Sequence, residues 1–341
     1  MIRVAVIGAA GYIGGELLRL LITHPKVEVV GAVSSRFPGK RVDGVHPNLR
    51  SFTDLLFCAP EDLEECDVVF LATPHRAAMT QIDHWNDRAK LVIDLTGDFR
   101  LDDTEVYEQY YGTEHAAPHL LDDFVPGIPE LYRDDLRGAD LISVPGCMAV
   151  AGVLALYPLV ERDLVDSSAQ FDARTGSSGS GATAGEGNLH AERSGAMRVF
   201  APTGHRHEAE ISRHLGIPAA MTATGVEAVR GVQTICHAEL QPGVDTSEVR
   251  RAFREQYRDE PFVRLVAQQR GTFRYPEPKI LVGSNFCDVG YAVDEEAGRL
   301  STIAALDNLM KGGAGNAIQC LNVRMGWPES LGLSFPGLHP V

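Results

Sequence analysis

The sequence predicts an α/β fold in two parts: a doubly wound parallel sheet, then an α+β domain with a largely antiparallel sheet. Three observations predict it. Short β-branched runs alternate with helical windows through residues 1–146. A Gly-x-x-Gly-x-x-Gly turn joins the first such run to the first helix. Beyond residue 147 the alternation stops and longer β-rich segments take over. At 341 residues the chain exceeds one ordinary core, so two domains are expected.

Taken in order, the expected strands of the first part are Arg3–Ile7, Val27–Val33, Asp67–Ala72, Lys90–Leu95 and Asp140–Val144, with a helix over Gly14–Thr23. The second part opens with a helix over Gly152–Val165 and a strand over Gln170–Arg174. A Gly/Ser-rich stretch, Thr175–Ala182, follows; bare, it reads as a flexible linker, and in this context as a loop wrapping a ligand with backbone N–H groups. A helix over Glu208–Leu215 precedes two β-rich windows, 222–240 and 280–305. The tail, Asp307–Ala317, leads into a helix over Ile318–Met325, and its small residues suggest close packing against something flat.

Composition narrows the class. Hydrophobic content of 44% with 23% charged residues is ordinary for a globular protein. No apolar run approaches the roughly 20 residues of a membrane span. The opening Met1–Gly8 reads as a strand and not as an export signal, so a cytoplasmic location and no membrane partner are expected. The six cysteines are scattered without a C-x-x-C pair, which suggests neither a zinc site nor a disulfide framework. A net charge of −15 argues against nucleic-acid binding.

Gly8-Ala9-Ala10-Gly11-Tyr12-Ile13-Gly14 has the strand–turn–helix context of a Rossmann-type dinucleotide site. There, glycines permit the tight turn and the close approach of a pyrophosphate to the helix N-terminus. The second strand ends at Ser34-Ser35-Arg36 with Lys40 and Arg41 behind, where a cofactor with a free 2′-hydroxyl would want an acid. Hydroxyls and a guanidinium suit a 2′-phosphate, so NADP(H) is the expected cofactor.

Cys147 follows Val144-Pro145-Gly146, at the mouth of a strand-to-helix turn. Helix N-terminal N–H groups and the positive end of the dipole favour a thiolate there. The second dense cluster is Gly204-His205-Arg206-His207-Glu208-Ala209-Glu210. It admits three readings: a metal site, though no further His or Cys lies close in sequence; an acid/base partner for Cys147; or a solvated loop ahead of a helix whose start the carboxylates favour. Together the parts suggest a thiolate attacking an acyl phosphate, reduction of the thioester to an aldehyde, and no metal. Ser177, Ser178 and Gly179 of the Gly/Ser loop and nearby arginines, Arg100 among them, would hold phosphate.

The chain resembles the N-acetyl-gamma-glutamyl-phosphate reductase family, relatives of aspartate-semialdehyde dehydrogenase, over nearly its full length. The resemblance rests on Gly8–Leu21, Asp94–Leu101, Pro126–Leu131, Pro145-Gly146-Cys147, Gly204–His207 and Lys311–Ala317, in that order. It implies Cys147 as nucleophile, His205 as acid/base with His207 as neighbour, a cofactor turn over Ala10–Ile13, a 2′-phosphate contact at Ser34–Arg36 and a late cofactor contact at Asn316. It also implies an NADP-binding domain over 1–146 completed by 307–341 and a catalytic and oligomerisation domain over 147–306; the extended strand-rich half makes a homotetramer or homodimer the expected assembly. Where arginine-pathway enzymes of the family read Tyr-Pro-Thr after the cysteine, this chain reads Met148-Ala149-Val150. The segment from Glu192 to Glu210, with Arg193, Arg198 and Arg206, also differs. Both features are similar to the lysine-pathway branch, whose aminoadipyl or glutamyl phosphate is carried on the acidic protein LysW. Free N-acetylglutamyl phosphate is the alternative substrate, and a non-catalytic NADP-sensing regulator the alternative of another class.

Overall fold

β-Branched runs flanked by turn residues become strands wherever a helix can return the chain to the same sheet edge. In the computed structural model, which describes residues 1–341, this happens repeatedly in the first part. The elements are β1 (Ile2–Ile7), α1 (Tyr12–Ile22), β2 (Val27–Val33), β3 (Phe57–Cys58), β4 (Val68–Leu71), α2 (Ile82–Arg88), β5 (Leu91–Asp94), α3 (Thr104–Tyr111), β6 (Val125–Pro126), α4 (Pro129–Leu136) and β7 (Leu141–Ser143). The strands form one sheet in the order β3-β2-β1-β4-β5-β7-β6, every pairing parallel. Val4, Val6, Val68, Phe70, Val92 and Ile93 are fully buried, as a sheet covered on both faces demands.

The second part begins with α5 (Cys147–Val160) and continues through β8 (Ala169–Thr175), α6 (His190–Arg193), β9 (Met197–Ala201), α7 (His207–Leu215), β10 (Ala219–Val226), β11 (Val232–Glu239), α8 (Thr246–Tyr257), β12 (Val263–Leu265), β13 (Cys287–Asp294) and β14 (Arg299–Leu306). Its sheet runs β12-β13-β14-β11-β8-β10-β9. It is mixed but mostly antiparallel: only β8–β10 and β12–β13 are parallel pairs. The last helix, α9 (Gly315–Arg324), packs with α1 and α4. The chain divides into one unit of Met1–Pro145 with Gly313–Ser334 and a second of Gly146–Gly312 with Phe335–Val341.

Two expectations shift. The first helix of the second part starts at Cys147, not Gly152, and ends at Val160, not Val165. Its apolar residues from Met148 to Leu156 are buried around the full circumference, so there is no polar stripe to mark where it begins. It stops because Asp163 turns left-handed (φ 52°) and Val165 bridges to Leu240. The second shift is in the 280–305 window. There Pro278–Leu281 is a 3₁₀ turn, and strand begins only at Cys287.

Candidate active site

The nucleotide turn lies in the first unit. Gly8 adopts φ 79°, and a Cβ there would stand 2.4 Å from the Ala72 carbonyl oxygen. A Cβ on Gly14 would stand 2.5 Å from the Gly8 carbonyl oxygen, so α1 can approach β1 only with glycine there. The Gly11 N–H donates to Gly8 O (3.1 Å) and closes the turn. Ala10, Gly11, Tyr12 and Ile13 thus surround the N-terminus of α1, whose first N–H groups have no helical carbonyl to bond. His46 braces the turn from outside by donating from Nε2 to the Ala9 carbonyl (2.8 Å), and burial pushes its pKa down.

At the end of β2, Ser34 is buried and its Oγ accepts from the Arg36 N–H (3.3 Å). Ser35 and Arg36 are exposed. The Arg36 guanidinium and the Lys40 ammonium lie over the Phe37 ring, 5.1 and 4.9 Å from its centroid. Arg41, by contrast, is engaged by Asp43 (2.8 Å) and Asp54 (2.9 Å). The cations that fit a 2′-phosphate here are therefore Arg36 and Lys40, with the Ser35 hydroxyl beside them.

The thiol lies in the second unit. Cys147 is the first residue of α5, half-buried, with Gly146 as its N-cap. Gly146 is tightly enclosed. Its N–H donates to the Glu210 carboxylate at 2.7 Å, and a Cβ on it would meet His207 Nε2 at 2.1 Å. His207 and Glu210 are three residues apart on α7, and His207 Nε2 stands 3.7 Å from Glu210 Oε1. Both are buried, at 4% and 1% exposure. On the other side, a Cβ on Gly312 would lie 2.5 Å from Cys147 Cβ and 3.1 Å from Leu306 Cδ1. The small residues of the tail thus pack against the thiol-bearing turn itself.

His205 lies behind His207. Its Nδ1 accepts the His207 backbone N–H (3.2 Å), and the two rings meet nearly edge-on, 4.5 Å apart. Burial first, and the Arg206 charge second, push its pKa down to about 4. A neutral ring whose Nδ1 already accepts carries its proton on Nε2.

The residues expected to hold phosphate are placed otherwise. Arg100 is buried, donating from Nε to Val144 O (2.9 Å) and from Nη2 to Leu95 O (3.0 Å), so it ties the ends of β5 and β7 together. The Gly/Ser loop is a 3₁₀ turn over Ser177–Ser180 and not a flexible linker. Its N–H groups are already bonded: Gly176 to Gly231 O, Ser177 to Ala228 O, Ser178 to Val229 O, and Gly179 to Gly176 O. Ser178 Oγ accepts from Asn308 (2.9 Å). A backbone cradle for phosphate at Ser177–Gly179 is therefore not what this turn presents. Asn316 is fully buried and donates to Gly127 O (2.6 Å), which fixes the Pro126–Pro129 turn to α9. Met148, Ala149 and Val150 are buried in the first turn of α5.

Sequence reasoning missed Glu210 as a partner of the site. The signal was there: His207 and Glu210 at i, i+3 share one helix face. No group of three or more His, Cys, Asp or Glu is arranged to hold a metal ion, and no helix is long and apolar enough to cross a membrane.

Comparison with known proteins places these features in context. Residues 3–139 match the semialdehyde dehydrogenase NAD-binding domain, and residues 147–308 the semialdehyde dehydrogenase dimerisation domain. The [LysW]-L-2-aminoadipate 6-phosphate reductase of Deinococcus radiodurans is 46% identical over 340 residues, covering 99% of this chain and 98% of its own. A putative [LysW]-L-2-aminoadipate/[LysW]-L-glutamate phosphate reductase of Natronomonas pharaonis is 46% identical over 339 residues, covering 99% and 97%. Among solved structures, aspartate semialdehyde dehydrogenase II of Vibrio cholerae aligns with a TM-score of 0.73 at 17% identity, over 96% of this chain and 98% of that one. The Candida albicans enzyme, solved with NADP, aligns at 0.69 and 16%, over 95% and 98%. At such identities these two show the fold alone.

Proposed function

This chain belongs to the semialdehyde dehydrogenase family and is an oxidoreductase with an NAD(P)-binding domain, and from that premise we propose that it reduces a LysW-linked aminoadipyl or glutamyl phosphate to the semialdehyde with NADPH. The enclosure of the Gly146–Cys147 turn by His207 and Glu210 carries the chemistry. The relatives' names and identities over almost the whole chain carry the substrate.

His207, held against Gly146 and aligned by Glu210, takes the Cys147 proton. The thiolate attacks the acyl carbon, and the C–O bond to phosphate breaks. The imidazolium gives the proton to the departing phosphate. NADPH, when bound, supplies a hydride to the Cys147 thioester. The resulting oxyanion collapses, the C–S bond breaks, and the aldehyde leaves as the thiolate regains a proton through His207. This assigns the proton to His207 rather than His205, because His207 lies against Gly146 beside Glu210, while the Nδ1 of His205 is taken by the His207 N–H.

The 2′-phosphate preference rests on Arg36, Lys40 and Ser35. Arg36→Ala is expected to weaken NADP binding about 10- to 100-fold, the loss of one charge-assisted contact, and to leave NAD binding unchanged. Titrating both cofactors against both proteins checks it, and tighter binding of NAD than NADP by the unaltered protein would contradict it. The substrate is tested by offering LysW-linked and free acetylated acyl phosphates with NADPH. Oxidation is expected with the carrier-linked substrate. Equal or better turnover of free N-acetylglutamyl phosphate would move the chain to the arginine-pathway reaction.

A further inference from the structure

Arg193 is a guanidinium without a counter-charge. Its Nη2 donates to the Thr175 carbonyl (3.3 Å), its Nε is buried with no hydrogen-bond partner, and no carboxylate pairs with it. The neighbouring Glu192 instead faces Arg198, at 3.7 Å. The guanidinium lies against Gly225, where a Cβ would stand 2.6 Å from Nη1. Gly225 pairs with Thr175 across β10 and β8, so the guanidinium sits over the end of that strand pair. Burial, then the nearby Arg198 charge, pushes the Arg193 pKa down. A half-buried guanidinium with an unpartnered Nε beside a second arginine can accept an anion, and its planar fork matches a carboxylate or a phosphate.

The sheet register says which anion. Thr175 pairs with Val232, Val232 pairs with Leu306, and the Leu306 side chain flanks Gly312 beside Cys147. Two strand spacings separate Thr175 from Leu306, about 10 Å. The guanidinium thus contacts a backbone position about two strand spacings from the one beside the thiol, a separation that favours a group at the far end of the acyl chain over the phosphate on the carbon under attack. A 2-aminoadipyl 6-phosphate carries a free carboxylate at C1. We propose that Arg193 binds this carboxylate. The inference rests on the function proposed above.

The reverse reaction separates the two anions, since semialdehyde and inorganic phosphate are then distinct substrates alongside NADP. Arg193→Gln is expected to raise KM for the LysW-linked semialdehyde about 10- to 100-fold, with kcat and the KM for phosphate nearly unchanged. Arg193→Lys should recover part of that loss, and it serves in its place if the glutamine variant does not fold. A rise confined to the KM for phosphate would show that Arg193 holds the leaving group. No change in either KM would show that it holds no substrate anion, and both results overturn the inference. An unaltered protein that fails to reduce NADP with semialdehyde and phosphate would overturn this inference and the proposed function together.

Discussion

Cys147→Ser is expected to lower turnover about 10⁴-fold or more while NADPH binding stays within error. The alcohol is a far weaker nucleophile than the thiolate that the N-terminus of α5 favours, and His207 cannot make up the difference. The cofactor turn at Gly8–Gly14 belongs to the other unit, so its binding should not sense the change. Cofactor titration alongside steady-state turnover of both proteins checks the pair of expectations. A serine variant with more than about a tenth of normal activity would remove Cys147 from the chemistry.

The second large effect falls on His207. His207→Asn is expected to reduce kcat by about 10²–10⁴ with little change in KM, the ordinary range for losing a positioned acid/base. His205→Asn should cost much less, because that ring acts through His207, accepting its backbone N–H and packing edge-on against its ring. Comparing kcat of the two variants decides which imidazole moves the proton. A larger loss for His205→Asn would reverse the assignment made above.

What the sequence disclosed and what it hid follow a physical line. The parallel sheet and the glycine turn were legible because strand, turn and helix are local patterns, and Gly8 and Gly14 are needed by neighbours a few residues away or on the adjacent strand. Cys147 was legible as a helix-terminal thiol, although the helix start was misjudged by five residues, from 152 to 147. The surroundings of the thiol depend on contacts across long stretches of chain. Gly146 receives Glu210 from 64 residues away, and Gly312 returns from the tail to cover Cys147. Nothing in the local spacing of Arg100 or Asn316 announces that their side chains close on backbone carbonyls. The Gly/Ser run misled for the same reason: its composition suggested open donors, and residues 228–231 satisfy them. The helix α8 was not predicted, although its Asp245–Glu248 capping box marks its start.

The central claim is that the acyl group passes through a thioester on Cys147. Intact-protein mass spectrometry after mixing the enzyme with carrier-linked acyl phosphate, cofactor withheld, tests it most directly. One acyl adduct per chain is expected, located to the peptide containing Cys147, and discharged when NADPH is added. No adduct on that peptide, together with full NADPH-dependent turnover of the same substrate, would contradict the mechanism.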